Sequence, residues 1–377
     1  MFRPVTVLLA TMSLVATVLA HEPRPAGDER ALVQVAILLD TSNSMDGLID
    51  QARTQLWKIV NEIGKCRRDG LAPRVQVALF EYGNSSISAG ESYVRMVLPL
   101  SDNLDDVSEK LFALRTNGGE EYCGAVIQSA VNGLQWSSDA RVYKSIFICG
   151  NEPFTQGPVD FRTTVPGALA RGIVVNTIHC GTREEGMAGQ WSAGAEAGRG
   201  SFMNINQDQK IVTRVTPFDP EIEKLSRDLN ETYIPFGARG EASKMRQSEQ
   251  DENASANAPS GAPVERAITK SSSAYDNSGW DLVDALKEKK VALDSVPEEA
   301  LPETLRGKTL AEKQAQIDAQ ATRRGDVQKQ ISELNDKRQQ FLTEHAEESE
   351  KDTFDAAMLE ALQSQLKEQA FEVGGNK

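Results

Sequence analysis

Three small oxygen-bearing side chains stand at alternate positions in the stretch "LLDTSNSM": Asp40, Ser42 and Ser44. In extended backbone, alternate residues project to one side, so the three can converge on one point. A carboxylate and two hydroxyls are hard donors, suited to Mg²⁺, with Ca²⁺ or Mn²⁺ as alternatives, and poorly suited to zinc or copper. Only one of the three is charged. An ion held this way keeps positive charge and open positions, which water or a partner's carboxylate can fill. The same residues have a second use. Ser and Asp ahead of a helix accept hydrogen bonds from its first amides, with no metal needed.

The elements that must position these residues are a strand and a helix. Residues 31–40 (ALVQVAILLD) are almost wholly apolar, the pattern of a strand buried on both faces. Leu48, Ile49, Ala52, Leu56, Ile59, Val60 and Ile63 then mark one stripe of a helix. Further on, "RVQVALFEYG" and "SYVRMVLPLS" read as a hairpin, and "YKSIFICG" and "IVVNTIHCG" as buried strands. "DDVSEKLFAL", "EYCGAVIQSAVNGLQW", "DFRTTVPGALARG" and "MAGQWSAGAEAGRG" read as helices. "SFMNI" reads as an edge strand, and "DPEIEKLSRDLNETY" as a closing helix opened by Asp219-Pro220. Strands alternating with helices predict an α/β fold, a mostly parallel sheet covered on both faces. Ligands of such sheets bind beyond the carboxyl ends of the strands, which is where Asp40 to Ser44 fall.

The D-x-S-x-S pattern at the end of a buried first strand, ahead of an amphipathic helix, resembles the metal-ion-dependent adhesion site of the von Willebrand factor type A domain. The resemblance covers residues 31–239. It implies a Rossmann-like sheet, a Mg²⁺ or similar ion, and partner binding through an open metal position. Such domains usually add a Thr before the third helix and an Asp after the fourth strand, and this chain departs at both. In "LRTNGGEEYCGAV", Thr116 lies early, Glu120 sits nearer the usual position and Glu121 is adjacent. In "IFICGNEPF", Gly150 or Asn151 falls where the Asp stands, and Glu152 follows. The residues the resemblance marks for the metal are thus Asp40, Ser42, Ser44, Thr116, Glu120, Glu121, Asn151 and Glu152. Glu120 and Glu121 also suit a helix start, where the dipole favours negative charge. His179 ends an apolar strand and reads as a buried or capping histidine.

Residues 1–20 (MFRPVTVLLATMSLVATVLA) have a short charged start, an apolar stretch and small residues at Val18 and Ala20. They read as a signal peptide cleaved after Ala20, with a retained anchor as the alternative. The expected home is the periplasm or the exterior, with no membrane span after signal removal. A net charge of -14 argues against nucleic acid as a partner. Cys66, Cys123, Cys149 and Cys180 lack zinc or redox spacing, and a Cys149–Cys180 disulfide is the preferred pairing among those an oxidising compartment allows. Residues 240–274 are rich in Ser, Ala, Asn and Pro and predict a disordered linker. Residues 275–377 predict a helical region, a hairpin or weak coiled coil, with Leu310, Ile317, Val327, Ile331, Leu334 and Phe341 at near-heptad spacing interrupted at Arg324 and Gly325. That spacing permits weak self-association.

The leading expectation is an exported, non-enzymatic module that grips a protein partner's carboxylate through a divalent ion. One alternative is a phosphatase-like hydrolase with Asp40 as phosphoryl acceptor. That chemistry generally wants a second Asp two residues on, where Ser42 stands, and an anchoring Lys, for which Lys144 is the candidate. Another is a structural protein with a degenerate metal site.

Overall fold

The computed structural model describes residues 30–210, 213–257, 260–345 and 353–373. The signal-peptide reading of residues 1–20 lies outside them. Six strands form one sheet: β1 (Leu32–Asp40), β2 (Arg74–Tyr82), β3 (Val94–Ser101), β4 (Tyr143–Gly150), β5 (Val174–Cys180) and β6 (Arg199–Ile205). Their order is β3-β2-β1-β4-β5-β6, parallel throughout except for the β2–β3 hairpin. The helices between strands are α1 (Asp46–Lys65), α2 (Leu104–Ala113), α3 (Cys123–Gly133), α4 (Phe161–Ala170), α5 (Arg183–Ala188) and α6 (Trp191–Ala197). After the sheet come α7 (Asp219–Asn230), α8 (Gly240–Ala256), α9 (Ala262–Ser271), α10 (Leu282–Lys287), α11 (Leu310–Glu344) and α12 (Phe354–Glu368).

The central strand β1 is buried on both faces because its alternate residues feed two cores. Val33, Val35, Ile37 and Leu39 pack toward α1, while Ala36 and Leu38 pack toward α3 and α4. The chain leaves β1 for one face and leaves β4 for the other. The β1–β4 boundary is therefore the topological switch point, the place where open α/β sheets keep their ligands. Asp40 ends β1 at that crevice. All seven residues of the predicted α1 stripe are buried, but so are Gln51, Gln55 and Asn61 on its polar side.

Those polar residues are covered because the C-terminal part docks on α1. The segment 240–274, expected as a disordered linker, is instead mostly α8 and α9. Its few large apolar residues concealed a buried polar network. Arg266 is buried beneath α8, paired with Asp105 of α2 at 2.7 Å and with Asp251, and stacked on Trp57. Ser108 Oγ donates to Gln250 Oε1 at 2.8 Å, and Asn61 Nδ2 donates to the Glu265 carbonyl at 2.9 Å. Satisfied in this way, polar side chains bury as well as apolar ones.

The expected C-terminal hairpin or coiled coil also resolves differently. α11 packs on α7, α9 and α10, whereas α12 packs on α1 and the β5–β6 edge. Ile317, Val327 and Ile331 of the α11 seam are buried, but Arg324, which interrupts the apolar spacing, is its anchor. Its guanidinium reaches Asp281 and Asp284 at 2.7 Å each and the Thr232 carbonyl at 2.8 Å. All four cysteines are buried and free. The preferred Cys149–Cys180 pair is not made, since the register sets Cys149 opposite Ile178 and leaves Cys180 two residues further along. No helix among the described residues is long and apolar enough to cross a membrane.

Candidate metal centre

Four loops meet at the carboxyl ends of β1, β2 and β4. In the first, Ser42 N–H donates to Asp40 Oδ1 at 2.8 Å, which curls the backbone so that Ser42 Oγ and Ser44 Oγ stand 3.3 Å apart. The helix start at Asn43–Met45 draws no side-chain cap from Ser42, so the capping account of these residues is not what the loop uses. From the loop after β4, Asn151 Nδ2 donates to Ser44 Oγ at 3.3 Å. From the loop before α3, Glu121 folds inward beside Asp40, its backbone N–H held by Gln156 Oε1 at 2.9 Å.

Two glycines make this approach possible. A Cβ at Gly83, which has φ +76°, would lie 2.7 Å from Glu121 Cγ and 2.8 Å from Asp40 Oδ1. A Cβ at Gly150 would lie 2.4 Å from Tyr82 Oη and 3.1 Å from Asp40 Oδ2. Any larger residue at either position would fill the space that the carboxylates face.

The eight residues marked in the sequence divide into two groups. Asp40, Ser42, Ser44, Glu121 and Asn151 come together. Thr116 does not: its hydroxyl donates to Asp46 at the start of α1. Its loop is tied down by Asn117 N–H on the Thr41 carbonyl at 2.9 Å and by Asn84 Nδ2 on the Arg115 carbonyl at 2.9 Å. Glu120 is exposed and accepts from Gln156 Nε2 at 3.4 Å, outside the centre. Glu152 is exposed at the rim, close enough for its charge to disfavour ionisation of both Asp40 and Glu121.

Sequence reasoning missed the residues that hold Asn151. The His179 ring nitrogen Nε2 lies 3.2 Å from the Asn151 carbonyl, and Trp191 Nε1–H donates to the Glu152 carbonyl at 2.9 Å. The two rings meet edge to face with centroids 5.7 Å apart. With Nε2–H as donor, the imidazole is neutral, in keeping with burial, which lowers its pKa. Two ring donors thus pin consecutive carbonyls and point Asn151, rather than Glu152, at Ser44.

Burial pushes Asp40 up to about 6, and burial followed by repulsion from Asp40 pushes Glu121 up to about 9. Asp40 Oδ2, Glu121 Oε2 and Asn151 Oδ1 are buried with no hydrogen-bond partner. Buried polar atoms are rarely left so, and here three such acceptors belong to the loops that meet at Asp40.

Residues 34–212 match the family model described as the von Willebrand factor type A domain. This α/β unit is a von Willebrand factor type A domain. Solved structures similar to it include proximal thread matrix protein 1 from the mussel byssus, 15% identical over 46% of this chain and 41% of that one, with a TM-score of 0.34. Another crystal of the mussel protein, with a zinc-occupied MIDAS motif, is 15% identical over 48% and 43% at a TM-score of 0.37. The conserved hypothetical protein BatB from Bacteroides thetaiotaomicron is 17% identical over 46% of this chain and 90% of that one, at a TM-score of 0.34. The chain thus spans about two fifths of the mussel protein's length. No curated protein matches the sequence.

Among the described residues of the von Willebrand factor type A domain and its helices, no group of three or more His, Cys, Asp or Glu side chains is placed to hold a metal ion. The donor set at Asp40 is of another kind: two carboxylates, two hydroxyls and an amide oxygen. All are hard oxygens, and three have unused lone pairs. That set fits Mg²⁺, Ca²⁺ or Mn²⁺.

Proposed function

We propose that this von Willebrand factor type A domain is an exported, cation-dependent protein-binding module. The observation that carries the reading is the trio of orphaned buried oxygens on Asp40, Glu121 and Asn151, set around the Ser42 and Ser44 hydroxyls. A bound divalent ion supplies positive charge to these acceptors and an open position to a partner. Asp40 and Glu121 hold its charge, the two hydroxyls and Asn151 complete one side, and Gly83 and Gly150 keep the space clear. Export rests on the signal-like residues 1–20.

The hydrolase reading has weaker support. Lys144, its candidate anchor for a phosphate, pairs with Gln34 near the start of β1 and donates to the Ser137 and Arg171 carbonyls at 3.0 and 2.6 Å. It lies at the opposite end of the strands from Asp40.

Calorimetry with Mg²⁺, Ca²⁺ and Mn²⁺ on the wild-type chain and on Asp40→Ala tests the proposal. Saturable heat in the wild type, lost in the variant, is the expected result. Identical titrations would remove the ion site, and Asp40-dependent turnover of phosphate esters would establish the hydrolase instead.

A further inference from the structure

We propose that the cavity between α1, α2 and α8 is a carboxylate pocket beside the ion site, so that the partner is an acidic segment with one carboxylate on the ion and another on Arg115. The inference rests on the ion reading above and deepens it by adding a second anchor for the same partner.

The cavity holds about 430 Å³, within the range of ligand pockets. Asp46, two residues beyond Ser44, lines it, and so does Asn253 of α8. The loop that carries Arg115 lies against the loop of Asp40 to Ser44. Asn117 N–H donates to the Thr41 carbonyl at 2.9 Å, and a Cβ at Gly118 would lie 3.2 Å from Asn43 Nδ2. The cavity and the ion site are therefore neighbours. Ile49, Phe112 and Leu114 give the cavity an apolar lining, which suits the methylene stem of an acidic side chain.

Two guanidiniums supply the charge. Arg53 is fully engaged: Nη1 pairs with Asp50 at 2.9 Å, while Nε and Nη2 donate to the Leu111 and Leu114 carbonyls at 3.0 and 2.6 Å. Arg115 is exposed and has no ion-pair partner among the described residues. Its Nη1 donates to the Phe112 and Leu114 carbonyls at 2.8 and 2.7 Å, which fixes the group and leaves Nε and Nη2 without a partner. Those two nitrogens form the edge that grips a carboxylate with two parallel hydrogen bonds. Asp46, the other carboxylate here, accepts from the Thr116 hydroxyl. Burial lowers the Arg53 pKa, and repulsion from Arg115 adds to it, against the attraction of Asp50 and Asp46. An incoming carboxylate supplies the counter-charge that these residues lack.

The test uses the full chain loaded with Mn²⁺ and reads the relaxation of water protons by the ion, which reports coordinated water. Sodium acetate and tetraglutamate are the probes, compared at equal carboxylate concentration. Tetraglutamate should displace water with at least about tenfold higher affinity than acetate, because its second carboxylate binds as a tethered group. Arg115→Gln should abolish that advantage and leave the Mn²⁺ and acetate affinities unchanged. Arg183→Gln removes one exposed positive charge at the start of α5 and should keep the advantage. No advantage in the wild type, its survival in Arg115→Gln, or an equal loss in Arg183→Gln overturns this proposal alone and leaves the ion site standing. Failure of Mn²⁺ to bind the wild type overturns the ion site and this proposal together.

Discussion

Asp40 and Glu121 face each other in a buried space with no cation among their strongest electrostatic neighbours. Without a metal, burial and repulsion from Asp40 keep a proton on Glu121, lifted to about 9, while burial raises Asp40 to about 6 against the hydrogen bonds it accepts from Ser42 and Glu121. In the unfolded chain both ionise near pH 4. Between about pH 4 and 9 the folded state then binds more protons than the unfolded state, so its stability falls as pH rises through that window. Urea unfolding in the absence of divalent ions should show that decline, and Glu121→Gln should flatten most of it. Equal slopes for the two proteins would show that Glu121 is ionised in the fold. A bound divalent ion displaces the proton, so Mg²⁺ binding at about pH 7 should release about one proton, seen as calorimetric heats that vary with buffer ionisation enthalpy. At this scale much of the centre is legible in the sequence, because ligands on a loop between strand and helix announce themselves by residue type and spacing. Glu121 and Asn151 stood out as departures from a pattern. His179 and Trp191 did not, since each acts by one hydrogen bond to a backbone carbonyl across the sheet, which no spacing encodes.

The loop after β4 depends on its clamp. Trp191→Phe keeps the ring against Phe154, whose centroid lies 4.9 Å away, and removes only the donor to the Glu152 carbonyl. It should lower divalent-ion affinity by about tenfold, as loss of an outer hydrogen bond commonly does, with little change in the melting temperature of the metal-free protein. A fall in melting temperature with unchanged ion affinity would make Trp191 a packing residue only. The regular elements were readable where one face is apolar: β1, α1 and the β2–β3 hairpin follow their periodicity. α8 was not, because its buried face is Gln247, Gln250 and Ala254 beside half-buried Asp251, and these polar groups are held by partners distant in sequence. Arg324 misled for the same reason. Arg324→Met should destabilise the fold by about 3–5 kcal/mol, because it leaves buried Asp281 and half-buried Asp284 without their cation. Chemical denaturation measures this, and a loss below about 1 kcal/mol would mean α11 is held mainly by its apolar contacts.

At the scale of the whole molecule, the C-terminal helices close the von Willebrand factor type A domain rather than trail from it. α9 and α12 cover the side of α1 that the sheet does not reach, and Gln51 joins three parts at once. Its Oε1 accepts from Phe354 N–H at 3.0 Å, and its Nε2 donates to the carbonyls of Asn206, Gln207 and Gln209 at 2.9, 3.1 and 3.2 Å. Arg338 of α11 adds a second tie, pairing with Asp219 at 3.1 Å and Glu265 at 2.9 Å. Elements bound through one shared core and one buried polar network unfold together. The full chain should therefore melt in a single transition, and limited proteolysis should spare residues 240–274. A chain ending at residue 239 would expose the α1 face that holds Trp57 and Asn61, and should melt at a lower temperature or aggregate. Early cleavage within 240–274 that releases a soluble 31–239 fragment with an unchanged melting temperature would instead make the helices an independent appendage, joined by the flexible linker that composition alone implies.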